Sequence, residues 1–118
     1  MSEFKEMIIK RPRVGVLPTL DLQGKWLETL GFTVGASVGV VYRDSCLTLS
    51  TNTTASNCSG VLQVTSRLMR GRPRTLLSLN AFLLKRYGFN VGDKVVLQLM
   101  PNTIQITKIN FYTIAQHA

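Results

Sequence analysis

The sequence predicts a mostly β domain with two short helices, built from two copies of one unit. Three observations carry this expectation. Residues 18–49 and 75–106 align without a gap at an offset of 57, so that Leu20, Leu22, Leu27, Gly31, Phe32, Val34, Gly35 and Val38 recur as Leu77, Leu79, Leu84, Gly88, Phe89, Val91, Gly92 and Val95. Many apolar residues fall in short alternating runs, the period of a half-buried strand. Each copy also holds one short amphipathic stretch closed by Gly-Phe. A unit of about 50 residues can barely build a core alone, whereas 118 residues make one domain. The chain is therefore read as a single domain: residues 4–50 as the first unit, 51–60 as a linker, 61–108 as the second unit and 109–118 as a tail.

Each element follows from local chemistry. Residues 4–9 read as a strand and 10–16 as a basic arm containing Pro12. Residues 17–22 alternate from Leu20 onward, a second strand, with Pro18 at its first residues or on an edge. A helix over 24–30 puts Trp26, Leu27 and Leu30 on one face. Gly31 suits the left-handed position past a last helical turn, from which Phe32 can fold back onto the helix. Gly35 fits a second turn with positive φ. Strands at 37–42 and 46–49 form a hairpin around Arg43-Asp44-Ser45. The second copy repeats the order: strand 61–66, arm 67–74, strand 75–79, helix 81–87 with Asn80 as N-cap, a stop at Gly88-Phe89, and strands 94–100 and 103–108 joined around Pro101-Asn102. The tail, with Phe111, Tyr112 and Ile114, is read as a strand extension or an edge cover.

The net charge of +8 favours an anionic partner, nucleic acid before a membrane surface. No run approaches the ~18 apolar residues of a membrane helix. The first residues lack the charged-then-apolar layout of a signal peptide, so the expectation is a cytoplasmic protein with no membrane partner. Cys46 and Cys58 are expected to be reduced. With His117 they are too few for a zinc set, and no cofactor or metal is expected. His117, beside the last residue of the chain, is a poor scaffold for acid–base catalysis. Asp21, Glu28 and Asp44 are the carboxylates considered for a nuclease metal, but nothing in the sequence links them. No catalytic residue is assigned.

The strongest local signal is a pair of arms. Lys10-Arg11-Pro12-Arg13 and Arg67-Leu68-Met69-Arg70-Gly71-Arg72-Pro73-Arg74 hold seven of the 14 basic residues. Arginine suits phosphate because its planar fork makes bidentate hydrogen bonds. Gly and Pro are expected to keep the arms out of regular structure, free to follow a groove. The alternative is a pair of solvated loops, or arginines paired with local carboxylates, yet the acidic residues are too few to neutralise both arms. Residues 1–57 hold six basic and five acidic residues, and 58–118 hold eight and one, so the second half is expected to carry more of the phosphate contact. Lys85 and Arg86 complete the candidate nucleic-acid set; at the end of a helix they suit the dipole equally well. Trp26 is read as core rather than as a base-stacking platform.

The spacing Leu20-x-Leu22-x-Gly24-Lys25-Trp26-Leu27-x3-Gly31-Phe32-x2-Gly35, with Val38-x-Val40 and Cys46-Leu47-x-Leu49, resembles the SymE-like toxin branch of the SpoVT/AbrB-like swapped-hairpin superfamily. So do Leu77-x-Leu79, Phe82-Leu83-Leu84, Gly88-Phe89-x-Val91-Gly92-Asp93 and Val95-x-Leu97, and Leu62-x-Val64-x-Ser66-Arg67 resembles the leading strand of that branch. The second copy departs from the first where Gly24, Lys25 and Trp26 become Ala81, Phe82 and Leu83. The resemblance implies two units exchanging hairpins in one AbrB-like β-barrel, here an intrachain pseudo-dimer. It also implies nucleic-acid binding through basic residues near the first two strands, and toxins of toxin–antitoxin systems acting on RNA or the nucleoid. The expected function is nucleic-acid binding, DNA favoured over RNA. The alternatives are an RNA-cleaving toxin and an antitoxin-like protein-interaction module. Beyond nucleic acid, the expected partners are an antitoxin or a further copy of the chain.

Overall fold

The computed structural model describes residues 3–10, 18–43, 45–51, 60–79 and 81–109. The elements in order are β1 (Glu3–Ile8), β2 (Leu20–Gln23), α1 (Lys25–Thr29), β3 (Ser37–Arg43), β4 (Cys46–Ser50), β5 (Gly60–Gln63), β6 (Thr65–Met69), β7 (Arg72–Leu79), α2 (Ala81–Arg86), β8 (Lys94–Met100) and β9 (Thr103–Lys108). The chain is mostly β with two short helices, as the sequence predicts. No described helix is long and apolar enough to cross a membrane.

Both helices are too short to persist alone and are held by the residues just past their C-terminal ends. Past α1, Gly31 N–H donates to Glu28 O (3.0 Å) and Phe32 N–H to Leu27 O (2.9 Å). Past α2, Gly88 N–H donates to Lys85 O (3.1 Å) and Phe89 N–H to Leu84 O (2.8 Å). Gly31 and Gly88 take φ of +100° and +84°, which permits this closure. Phe32 and Phe89 then turn back into the core and are fully buried, as are Leu27 and Leu84.

The strands form a six-stranded sheet, β1-β8-β9-β4-β3-β5, and a three-stranded sheet, β2-β7-β6. All pairings are antiparallel. β1 pairs not with its sequence neighbours but with β8, and β5 pairs with β3. At the centre of the larger sheet β4 meets β9 with Thr48 opposite Gln105, and in the smaller sheet Asp21 lies opposite Ser78. In both pairs the partners are 57 positions apart, the offset of the sequence repeat. Inward residues of the two sheets form one core, including Leu20, Leu22, Leu77 and Leu79 from the smaller sheet and Leu47, Leu49, Ile104 and Ile106 from the larger.

The sheets are open, which corrects the expected closed barrel. The chain turns a corner between the sheets at two matching places. Ile9 N–H donates to Asp93 O (2.9 Å) and its carbonyl accepts from Gly92 N–H (2.8 Å). Val64 N–H donates to Ala36 O (3.0 Å) and its carbonyl accepts from Gly35 N–H (2.8 Å). Each corner ends one ladder and begins another, as where strands switch sheets in a sandwich. The strand expected over 61–66 is thereby split at Val64 into β5 and β6. The expected Asn80 cap, Asp44, most of the first arm, the linker from 52 to 59 and the tail from 110 lie outside the described residues.

Candidate nucleic-acid interface

The second arm is not irregular. β6 and β7 run through it as a hairpin, pairing Arg67 with Arg74, Leu68 with Pro73 and Met69 with Arg72. The expectation failed because the turn chemistry is better than Gly and Pro suggested. Arg70 and Gly71 take φ of +54° and +78°, the two left-handed positions of a tight turn whose twist matches a hairpin. A two-residue turn makes Met69–Arg72 and Arg67–Arg74 the hydrogen-bonded pairs, so Pro73 falls where the ladder asks no N–H of it.

The hairpin extends past the end of β2, whose last partner on β7 is Leu76. Every residue from Arg67 to Arg74 is exposed. Side chains alternate along paired strands. Thr75, Leu77 and Leu79 are buried on the inner face, so Arg72 and Arg74, with Arg67 and Met69 across from them, take the outer face. Met69, Arg70, Arg72 and Arg74 bound a shallow hollow there. Among the described residues none of these arginines pairs with a carboxylate; the ion pair that forms is Lys108–Asp93 (3.1 Å), elsewhere. Four exposed guanidiniums on one projecting hairpin suit phosphate oxygens.

A second feature is a cleft of about 210 Å³ between β1 and β2. Its walls include Lys5, Met7, Lys10, Asp21, Gln23 and Trp26. Trp26 is half-buried and packs against the core. Its Nε1–H donates to the Gln23 carbonyl (2.9 Å), and Lys5 Nζ stands 4.7 Å from its ring centroid. Gly24, at φ +128°, leaves room for the indole: a Cβ there would come within 2.9 Å of Trp26 Cδ1. Lys10 is anchored by a backbone bridge to Thr19 (3.0 and 2.9 Å) and is otherwise exposed. The Gln23 Oε1 is buried without a hydrogen-bond partner.

The structure thus brings together Arg67, Arg70, Arg72 and Arg74 on the hairpin and places Lys10 at the cleft. Arg11 and Arg13 lie outside the described residues. Lys85 and Arg86 are exposed on α2, beyond the opposite end of β7 from the hairpin. The Arg86 guanidinium lies 5.9 Å from the Tyr87 ring, which stacks on Tyr42 at 4.1 Å and 7°. Asp21 and Glu28 are exposed on different elements. Among the described residues no three His, Cys, Asp or Glu side chains converge. Cys46 is half-buried, with Thr107 Oγ1 at 3.6 Å from its sulfur. Sequence reasoning missed Lys5 and Gln23. Their one signal was that the surrounding cleft residues Asp21 and Trp26 are not kept in the second copy, where Ser78 and Leu83 stand.

Residues 9–51 match the family described as "Toxin SymE, type I toxin-antitoxin system". The first half of the chain is similar to SymE toxins. "Endoribonuclease SymE" of Escherichia coli (strain K12 / MC4100 / BW2952) is 28% identical over 72 residues, 61% of this chain and 64% of the relative. "Toxic protein SymE" of Escherichia coli (strain K12) shows the same identity and coverage. "Endoribonuclease SymE" of Shigella flexneri serotype 5b (strain 8401) is 33% identical over 52 residues, 44% of this chain and 46% of the relative. The chain thus spans less than two-thirds of the length of these curated relatives. No solved structure matches it. The SymE match includes β2, α1, β3 and β4 and one wall of the cleft; the arginine hairpin lies outside it.

Proposed function

We propose that this chain is a SymE-like toxin that acts on RNA and holds its phosphates with the β6–β7 hairpin. The observation that carries the reading is the set of four exposed arginines Arg67, Arg70, Arg72 and Arg74, none paired with a carboxylate among the described residues. Lys10 extends the set from the other end of the smaller sheet, Arg11 and Arg13 follow it in the sequence, and Lys85 and Arg86 add outlying phosphate contacts. The preference for DNA gives way to RNA because the relatives bear the names of endoribonucleases. RNA carries its own nucleophile in the 2′-hydroxyl. The chemistry the hairpin offers to strand scission is electrostatic: guanidiniums that neutralise charge developing on a phosphate.

The reading includes an architecture. The two units act as a pseudo-dimer within one chain, each lending its leading strand to the hairpin of the other. The pairing of β1 with β8 and of β5 with β3 supports this, as does the Thr48–Gln105 register.

The test is a titration of labelled single-stranded RNA and of DNA of the same sequence, over a range of salt, with the RNA followed by gel. RNA is expected to bind more tightly and to shorten with time. The four hairpin arginines should contribute about −3 to the log–log salt slope on a single strand. The R67A/R70A/R72A/R74A variant should lose most of the affinity and flatten the slope. Equal affinity for DNA and RNA, or a quadruple variant that binds like the wild type, would sink the proposal.

A further inference from the structure

We propose that the cleft between β1 and β2 is a pocket for one RNA base bearing an exocyclic amine: adenine, cytosine or guanine. The inference rests on the RNA reading above and adds a second, separate contact to it.

Size sets the class of ligand. The cleft offers about 210 Å³. It falls below the ~300 Å³ at which pockets for whole small molecules begin. A single flat ring system fits, with sugar and phosphate left outside.

The lining sets the chemistry. The indole of Trp26 supplies an aromatic wall against which a base can stack. Lys5 and Lys10 add positive charge for the attached phosphate. The acceptors are the exposed Asp21 carboxylate and Gln23 Oε1, which is buried with no donor of its own and meets a ligand when the Gln23 amide turns into the cleft it lines. A buried acceptor left without a partner is unfavourable, and a ligand N–H restores the missing bond. Adenine, cytosine and guanine each offer an exocyclic amine whose two N–H groups serve both acceptors, whereas uracil offers a single N3–H flanked by two carbonyl oxygens that the acceptors repel.

Position links the cleft to the hairpin. Asp21 and Gln23 pair with Ser78 and Leu76 and so share the outer face of the smaller sheet with Arg72 and Arg74. Arg72 is four residues along β7 from Leu76, roughly 13 Å at ~3.3 Å per residue. One short strand can therefore meet both. The cleft is also one-sided: Thr19, Asp21 and Trp26 have Leu76, Ser78 and Leu83 as their counterparts in the second copy, which removes the charge and the indole.

Trp26 is the one tryptophan of the chain, so its fluorescence reports on the pocket directly. The full chain is titrated with AMP, CMP, GMP and UMP. The first three should quench Trp26, with UMP about tenfold weaker. Gln23→Leu should erase that difference and Lys5→Ala should weaken all four. Gln23→Glu, which keeps an acceptor, should retain the preference and guards against a leucine variant that does not fold. Equal quenching by all four nucleotides, or a preference unchanged in a folded Gln23→Leu protein, overturns the pocket. The RNA reading fails separately: a wild type that ignores oligomeric RNA but still prefers AMP over UMP keeps the pocket and loses the proposed function. The quadruple arginine variant should lose the oligomer and keep the mononucleotide preference.

Discussion

At Gly31 the backbone stands at φ +100°, and a Cβ there would collide with Asn102 Oδ1. Asn102 belongs to the turn between β8 and β9, and its N–H donates to the Leu30 carbonyl at the end of α1 (2.6 Å). The matching Gly88, at φ +84°, has nothing within 4 Å of its would-be Cβ. Gly88→Ala should therefore cost only the left-handed penalty, about 1–2 kcal/mol, and Gly31→Ala distinctly more. Urea denaturation of the two variants checks the order. The sequence showed both glycines as equivalent helix stops, and both are. It could not show the difference, because the group that crowds Gly31 arrives from the other half of the chain. Arg70 is a second such residue, held at φ +54° where asparagine is better suited. Arg70→Asn should leave the melting temperature unchanged or higher while weakening RNA binding several-fold at fixed salt. A variant that binds as well as the wild type would make Arg70 a turn residue only.

Among the elements, the β6–β7 hairpin projects an exposed arm, whereas each helix anchors itself on a buried leucine, Leu27 or Leu84. The arm residues from Arg67 to Arg74 are all exposed, so breaking the turn should leave the core standing. Gly71→Val puts a β-branched residue at φ +78°. It is expected to reduce RNA affinity sharply with little change in melting temperature. Leu84→Ala, in a fully buried position under α2, should instead cost ~2–5 kcal/mol and lower the melting temperature. Thermal scans paired with RNA titrations separate the two cases. The helices and hairpin strands were legible because their apolar spacing and Gly-Phe stops are local signals. The regularity of the second arm was not. Whether Pro73 breaks a ladder depends on its register against Leu68, and register is fixed only when both strands are in place.

For the molecule as a whole, the pairing of β1 with β8 and of β5 with β3 joins strands of both halves in one six-stranded sheet. Trp26 reports on the first half, and far-ultraviolet circular dichroism reports on all strands. The two signals should follow one urea transition with a common midpoint; separate midpoints would mean halves that fold apart. The repeat made the shared core legible, since buried positions such as Leu20 and Leu77 are kept in both copies. Sheet closure was not legible, because it depends on backbone hydrogen bonds at Ile9 and Val64 that no side chain announces. Nor was the cleft: its walls, β1 and β2, are consecutive in sequence but lie in different sheets, and nothing local announces that they part there. The smaller sheet carries arginines beyond one end and the indole cleft beside β2, where a symmetric homodimer would present the same groups twice. A nucleic-acid strand has a 5′ and a 3′ end, and a receptor with two unlike ends admits it in one polarity. On the proposed RNA reading, the unlike ends of the smaller sheet give this small scaffold a reading direction.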